Sequence, residues 1–140
     1  MRIVLDTNVL LISLPTKSKY RLIFDFLIDG KFELAITNDI ISEYMEIIGQ
    51  KTNEKIANNV IELLLNLENV FKAEVFYKWG LIIIDYDDNK FVDCAISSDA
   101  DYIVTNDKHF NVLKELQFPK VNIISIDDFL NEIVKSIEIV

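Results

Sequence analysis

Ile3-Val4-Leu5-Asp6-Thr7-Asn8 is the stretch on which the fold is decided. Three apolar residues make a short buried strand, and a carboxylate stops it where the core must end. The same order returns downstream. Leu34-Ala35-Ile36 runs into Thr37-Asn38-Asp39, and Tyr102-Ile103-Val104 runs into Thr105-Asn106-Asp107. Leu81 to Ile84 and Val121 to Ile124 predict two further strands, again with acids close behind.

Helical patterns fill the intervals. Tyr20, Ile23, Phe24, Leu27 and Ile28 lie at helical spacing, with Gly30 as the stop. A second helix carries Ile40, Tyr44 and Ile48 and is expected to close at Gly49. A third, from Asn53 to Leu67, sets Ile56, Val60, Leu63, Leu64 and Leu67 on one stripe. Further helices are expected from Phe91 to Ser98, Lys108 to Leu116 and Asp127 to Ile137. Only Asn69 to Trp79 shows neither period. Strand and helix in alternation predict an α/β protein: a single domain over residues 1–140, three layers deep (α/β/α), around a mainly parallel central sheet.

The bulk numbers agree with one such domain. The chain has 140 residues, 51% hydrophobic and 26% charged, with 3 Gly and 2 Pro. That composition fills a core and excludes disordered or collagen-like sequence. No apolar run approaches the roughly 20 residues that span a bilayer, so no membrane association is expected. Asp6 and Asn8 break the stretch a secretory signal needs. Cys94 stands alone and closes no intramolecular disulfide, so a cytoplasmic location is expected. With 23 acids against 14 bases, the net charge of −9 argues against binding nucleic acid by surface charge alone. It leaves room for a nuclease whose carboxylates gather around cations.

In parallel sheets ligands bind beyond the carboxyl ends of the strands. Each acid there has two readings, site or helix cap. Thr-Asn-Asp stands twice in the same setting, so the tripeptide alone is uninformative. Asp39 and Asp127-Asp128 are read as caps. Asp6 differs, because Thr7 or Asn8 can cap the turn through Val9 to Ile12 and leave Asp6 free. On the next helix, advancing about 100° per residue from Ile40 puts Glu46 opposite the apolar stripe. Glu43 falls at the border of that stripe, where it is either a surface glutamate with a covered stem or an acid reaching a cleft. Asp93 lies near the first turn of its helix, where the dipole favours an anion. Asp85, Asp87 and Asp88 precede it, more acid than one cap requires. His109, the only histidine, excludes a His-rich zinc site and is read as a contact to solvent or phosphate. Cys94 reads as a small buried hydrophobe. The glycines, at 30, 49 and 80, make no phosphate-binding loop.

Taken in order, these elements resemble the PIN domain of metal-dependent ribonucleases, over essentially the whole chain. Ile3 to Asn8 is similar to the first PIN motif and Ser42-Glu43-Tyr44 to the second. Asp88-Asn89-Lys90-Phe91-Val92-Asp93-Cys94-Ala95 is similar to the third, with Asp93 in the metal-binding place, and Asp101 through Phe110 to the fourth. Within the family the resemblance is to VapC-type toxins of toxin–antitoxin pairs. It implies an endoribonuclease with an RNA substrate, and Mg²⁺ or Mn²⁺ held by Asp6, Glu43, Asp93 and Asp107, which are then also the catalytic carboxylates. It further implies a small antitoxin partner and often a homodimer. Carboxylate oxygens are hard ligands suited to these ions. Thr7, Asn8 and Thr105 are placed to orient them. Lys17, Lys19, Arg21, Lys90 and Lys108 are the cations nearest the motif loops, for RNA phosphates or as ordinary solvated surface.

Two other readings compete. A phospho-receiver domain is also a short α/β fold with acids at strand ends, but it needs a Lys after the last strand, and here Ile126-Asp127-Asp128 follows. A PIN-like RNA-binding module without catalysis is the other, disfavoured because all four acids are present.

Overall fold

The computed structural model describes residues 1–138. β1 (Arg2–Leu5) is the centre of a five-stranded sheet in the order β3-β2-β1-β4-β5, with every neighbouring pair parallel. β2 is Glu33–Ile36, β3 Val70–Lys72, β4 Tyr102–Val104 and β5 Ile123–Ile124. Six α-helices form the outer layers: α1 (Thr7–Ser13), α2 (Arg21–Ile28), α3 (Asn38–Lys51), α4 (Glu54–Asn66), α5 (Asn89–Ser98) and α6 (Ile126–Glu138). Ile3, Val4, Leu5, Leu34, Ala35, Ile36, Ile103 and Val104 are all wholly buried, as inner parallel strands sandwiched between helices must be. The edge strands β3 and β5 are only three and two residues long, which limits the open backbone they offer to another chain.

The chain lays β2 and β3 on one side of β1, then crosses to place β4 and β5 on the other. The direction reverses between β1 and β4, where the loops leaving the two strands diverge and open a crevice. Leu5 pairs with Val104, so Asp6 and Thr105 stand side by side on its floor. α3 is pinned to the same place. The buried Tyr44 hydroxyl donates to the Leu5 carbonyl oxygen at 2.5 Å, which delivers Glu43 to the tip of β1.

Several local expectations give way. Leu81 to Ile84 is no strand: Ile83 and Ile84 are 87% and 74% exposed. The segment is held by a side chain instead. Asn89 Oδ1 accepts from Ile82 N at 2.9 Å, and its Nδ2 donates to the carbonyls of Ile82 at 2.8 Å and Tyr86 at 3.1 Å. The third strand of the sheet lies earlier, inside the stretch that showed no period. α3 runs through Gly49 to Lys51: Gly49 keeps helical backbone without a positive φ and lies against Ala57 of α4, where a Cβ would make an ordinary 3.8 Å contact. Gly30 does close α2, in the left-handed conformation at φ +73°. Lys108–Glu115 is a 3-10 helix.

The caps are also hydroxyls rather than the acids expected. Thr37 Oγ1 accepts from Ile40 N at 3.2 Å, and Ser125 Oγ from Asp128 N at 3.1 Å. Asp39, Asp127 and Asp128 sit in the first turns that follow, where the helix dipole favours them without a capping bond.

Candidate functional site

Asp6 lies on the crevice floor, 7% exposed, and its Oδ2 accepts from Thr105 Oγ1 at 2.8 Å. It precedes α1 yet makes no side-chain capping bond. Thr105 Oγ1 also accepts from Asp107 N at 3.0 Å, so one buried hydroxyl sets Asp6 and Asp107 against each other. Thr7, buried beside them, donates its hydroxyl to Glu43 Oε2. Asp107 Oδ1 accepts from His109 N at 2.9 Å. That tight turn folds the ring back, and His109 Nδ1 lies 3.5 Å from Asp107 Oδ1 and 3.3 Å from Asp88 Oδ2. His109, expected to meet solvent or phosphate, stands between two carboxylates with its side chain 38% exposed.

The charges interact. Burial raises the pKa of Asp6, Thr105 partly offsets it, and the charges of Asp107 and Glu43 push it up further. Asp88 is pushed up to about 6, by burial first and then by Asp85, with Asp107 and Asp6 adding to it. Asp6, Asp88 and Asp107 thus share one field, with Glu43 at its edge. Glu43 has its own counterion. Lys90 Nζ lies 2.9 Å from Glu43 Oε1 and 3.0 Å from Asp87 Oδ1. Burial opposes the charge on Lys90, but its bonds to Glu43 and Asp87 outweigh that and hold the ammonium above the usual lysine value.

Asp93 is placed apart from this group. Five residues separate it from Asp88, about 140° around a helix at about 100° per residue. Its Oδ1 accepts from Trp79 N at 3.1 Å. Burial raises its pKa, while the Trp79 amide and the Lys78 charge pull the other way. With Asn89 one turn earlier, Asp93 fastens the segment 79–86 to α5. From the third motif, Asp88 is the carboxylate that joins Asp6 and Asp107. A signal for this existed in the sequence. Asp93 is embedded in Phe91–Ala95, an unbroken buried run, whereas Asp88 stands in the loop ahead of the helix, where the strand-end rule looks for ligands.

The remaining candidates scatter. Asn8 is exposed in the first turn of α1. Lys108 is exposed and lines a cavity of about 290 Å³ with Asp107, Asn111 and Lys114. Lys17 is exposed, Lys19 lies 5.0 Å over the Tyr20 ring, and Arg21 pairs with Asp25 at 3.0 Å, all around the loop after α1. Cys94 is buried, its thiol pushed up to about 12 by that burial. Asp6, Asp88, Asp107 and Glu43 offer carboxylate oxygens, hard donors suited to Mg²⁺ or Mn²⁺, while Asp85, Asp88 and the His109 imidazole bring three possible ligand atoms within 4.8 Å of one another. Burial first, and the neighbouring carboxylates after it, raise Asp6 and Asp88, and a divalent cation would relieve the repulsion among them.

Comparison with known proteins bears on this site. The family model described as PIN domain matches residues 2–109. No curated protein matches the chain. Among solved structures, VapBC2 from Rickettsia felis bound to a fragment of its promoter DNA is similar, at 18% identity and TM-score 0.61, covering 89% of this chain and 98% of that one. FitAB bound to an IR36 DNA fragment is similar at 14% identity and TM-score 0.56, covering 89% and 94%. The PIN domain of T. brucei RRP44 is similar at 12% identity and TM-score 0.53, covering 96% and 81%. At these identities the likeness is one of fold. Among the described residues, no helix is long and apolar enough to cross a membrane.

Proposed function

This chain belongs to the PIN domain family, and from that premise we propose that it is a divalent-metal-dependent endoribonuclease, the toxin of a toxin–antitoxin pair. The observation that carries the reading is the convergence of Asp6, Asp88 and Asp107 at the crevice between β1 and β4, with Glu43 joined to it through Thr7. The VapBC2 and FitAB complexes among its structural relatives support a small antitoxin as partner. A homodimer and a cytoplasmic location belong to the same reading.

In this mechanism Asp6, Asp88 and Asp107, with Glu43, would hold Mg²⁺ or Mn²⁺. The chemistry supplied there is Lewis acidity, which offsets charge on the phosphodiester and eases deprotonation of the attacking water. The chain's own residues prepare the place. Thr105 keeps Asp6 and Asp107 in register, Thr7 orients Glu43, and His109 ties Asp88 to Asp107. Lys90 pairs with Glu43 Oε1 and anchors its carboxylate. Asp93, a metal ligand by motif alone, acts here through the Trp79 backbone.

The duplicated Thr-Asn-Asp provides the test. RNA cleavage should require Mg²⁺ or Mn²⁺ and stop with EDTA. Asp107→Asn should lower it at least about 100-fold, since a ligand charge is removed at constant size. Asp39→Asn should leave it nearly intact, because Asp39 is an exposed first-turn residue. Equal loss in both overturns the assignment, and RNA that is bound but never cut returns the module without catalysis.

Lys90→Met makes a second test. Glu43 then lacks its counterion, so the melting temperature in EDTA should fall. Mn²⁺ affinity by calorimetry should rise several-fold, because an internal cation no longer competes. A lower affinity would mean that Lys90 assists metal binding.

A further inference from the structure

Large rings form a strip along the segment that α5 holds, ending at Tyr86 just ahead of Asp88. Tyr77 and Trp79 meet edge to face with centroids 4.8 Å apart, and Trp79 meets Phe118 at 6.0 Å. Tyr86 continues the strip, lying over Gly80, where a Cβ would come within 3.4 Å of its hydroxyl. Tyr86 stands two residues before Asp88. Phe76, Tyr77, Tyr86 and Phe118 are 90%, 65%, 66% and 81% exposed, far more ring surface than a small domain leaves open without use.

The strip is fixed relative to the carboxylates. Asp93 holds the Trp79 amide and Asn89 holds Ile82 and Tyr86. Both belong to α5, which starts directly after Asp88. Lys78 lies between Tyr77 and Trp79 and makes no ion pair among the described residues. It lines a groove of about 420 Å³ with Phe76 and a balanced set of charges, Lys72 and Lys90 facing Asp39, Glu74 and Asp93.

We propose that this strip is a stacking platform for the bases of single-stranded RNA, seating nucleotides that flank the bond cut at Asp6, Asp88 and Asp107. It rests on the ribonuclease reading and names how that site holds its substrate. Net charge argues for it. A chain of charge −9 that presents carboxylates to a polyanion gains little from counterion release. Affinity must come from elsewhere, and base–aromatic stacking supplies about 1–3 kcal/mol per base without sequence preference. Edge-to-face packing leaves ring faces open for that contact.

Trp79 is the only tryptophan, so it reports directly. Binding of a short labelled oligoadenylate would be followed by anisotropy and by Trp79 fluorescence, in the Asp107→Asn background with Mn²⁺. RNA should quench Trp79, and affinity should change little with salt. Tyr77→Ala and Phe118→Ala, both exposed, should each weaken binding about 5- to 100-fold with melting temperatures unchanged. A single-stranded DNA of equal length should quench as well, since stacking ignores the sugar. RNA bound with no quenching and equal affinity in the ring variants overturns the platform and leaves the ribonuclease intact. Ring variants that keep RNA affinity but lose self-association make the strip a protein interface and also overturn it. A wild-type chain that neither binds nor cuts RNA overturns the ribonuclease reading instead.

Discussion

Asp88→Asn is expected to lower RNA cleavage at least about 100-fold, and Asp93→Asn only a few-fold. The two acids lie in one motif and differ in what they face. Asp88 faces Asp107 through His109 and carries a pKa pushed up to about 6, partly by Asp107 and Asp6. Asparagine there keeps the size but loses the charge that a divalent ion needs. Asp93 accepts a hydrogen bond from the Trp79 backbone, and the amide oxygen of asparagine accepts it too. Initial rates at saturating Mn²⁺ compare the two directly. If Asp93→Asn is the damaging change and Asp88→Asn the mild one, the metal belongs at Asp93, as the motif alone implies.

The second large effect concerns Asp6 without metal. Burial, Asp107 and Glu43 raise its folded pKa, and a group raised in the folded state favours folding only while it is protonated. That contribution is complete below the unfolded value near 4 and is lost as pH rises through the folded value. Asp6→Asn removes one repelling charge and keeps an oxygen for Thr105. In EDTA the two proteins should therefore melt together near pH 4. By pH 7 the variant should be ahead, by about 1 kcal/mol. Mn²⁺ reverses the order. A ligand at 100 times its Kd adds about 2.7 kcal/mol to the state that binds it, and wild type should receive far more of this than the variant. Equal gains in melting temperature would remove Asp6 from the metal site.

What was legible in the sequence is what local pattern controls. β1, β2 and β4 are buried on both faces, so their apolar runs are unmixed and announce themselves. Glu43 was legible by helix phase: it is half-buried at the border of α3, with Glu46 exposed behind it. The failures lie where a distant partner decides. Ile83 and Ile84 look like strand residues, but the adjoining backbone at Ile82 is satisfied by the Asn89 side chain, and no periodicity marks such a substitute. β3 is a strand because Leu34, Ala35 and Ile36 lie beside it, not because Val70, Phe71 and Lys72 alternate. Asp88 rather than Asp93 shares the field of Asp6 and Asp107 for the same reason, since the docked orientation of α5 sets which of the two faces it.

The placement of β1 also sets a timetable for synthesis. β1 is made first, yet its partner β4 arrives about a hundred residues later: Ile3 pairs with Tyr102, and the Thr105 hydroxyl reaches Asp6 across 99 positions. A ribosome adding roughly 5–20 residues per second keeps β1 waiting on the order of 5–20 s for that neighbour. Through this interval the nascent chain contains Asp6 and Glu43 but not Asp107, and nothing fixes Asp6 in place. If the proposed metal site is where RNA is cut, a chain stalled before Asp107 lacks one of its carboxylates and should not cut.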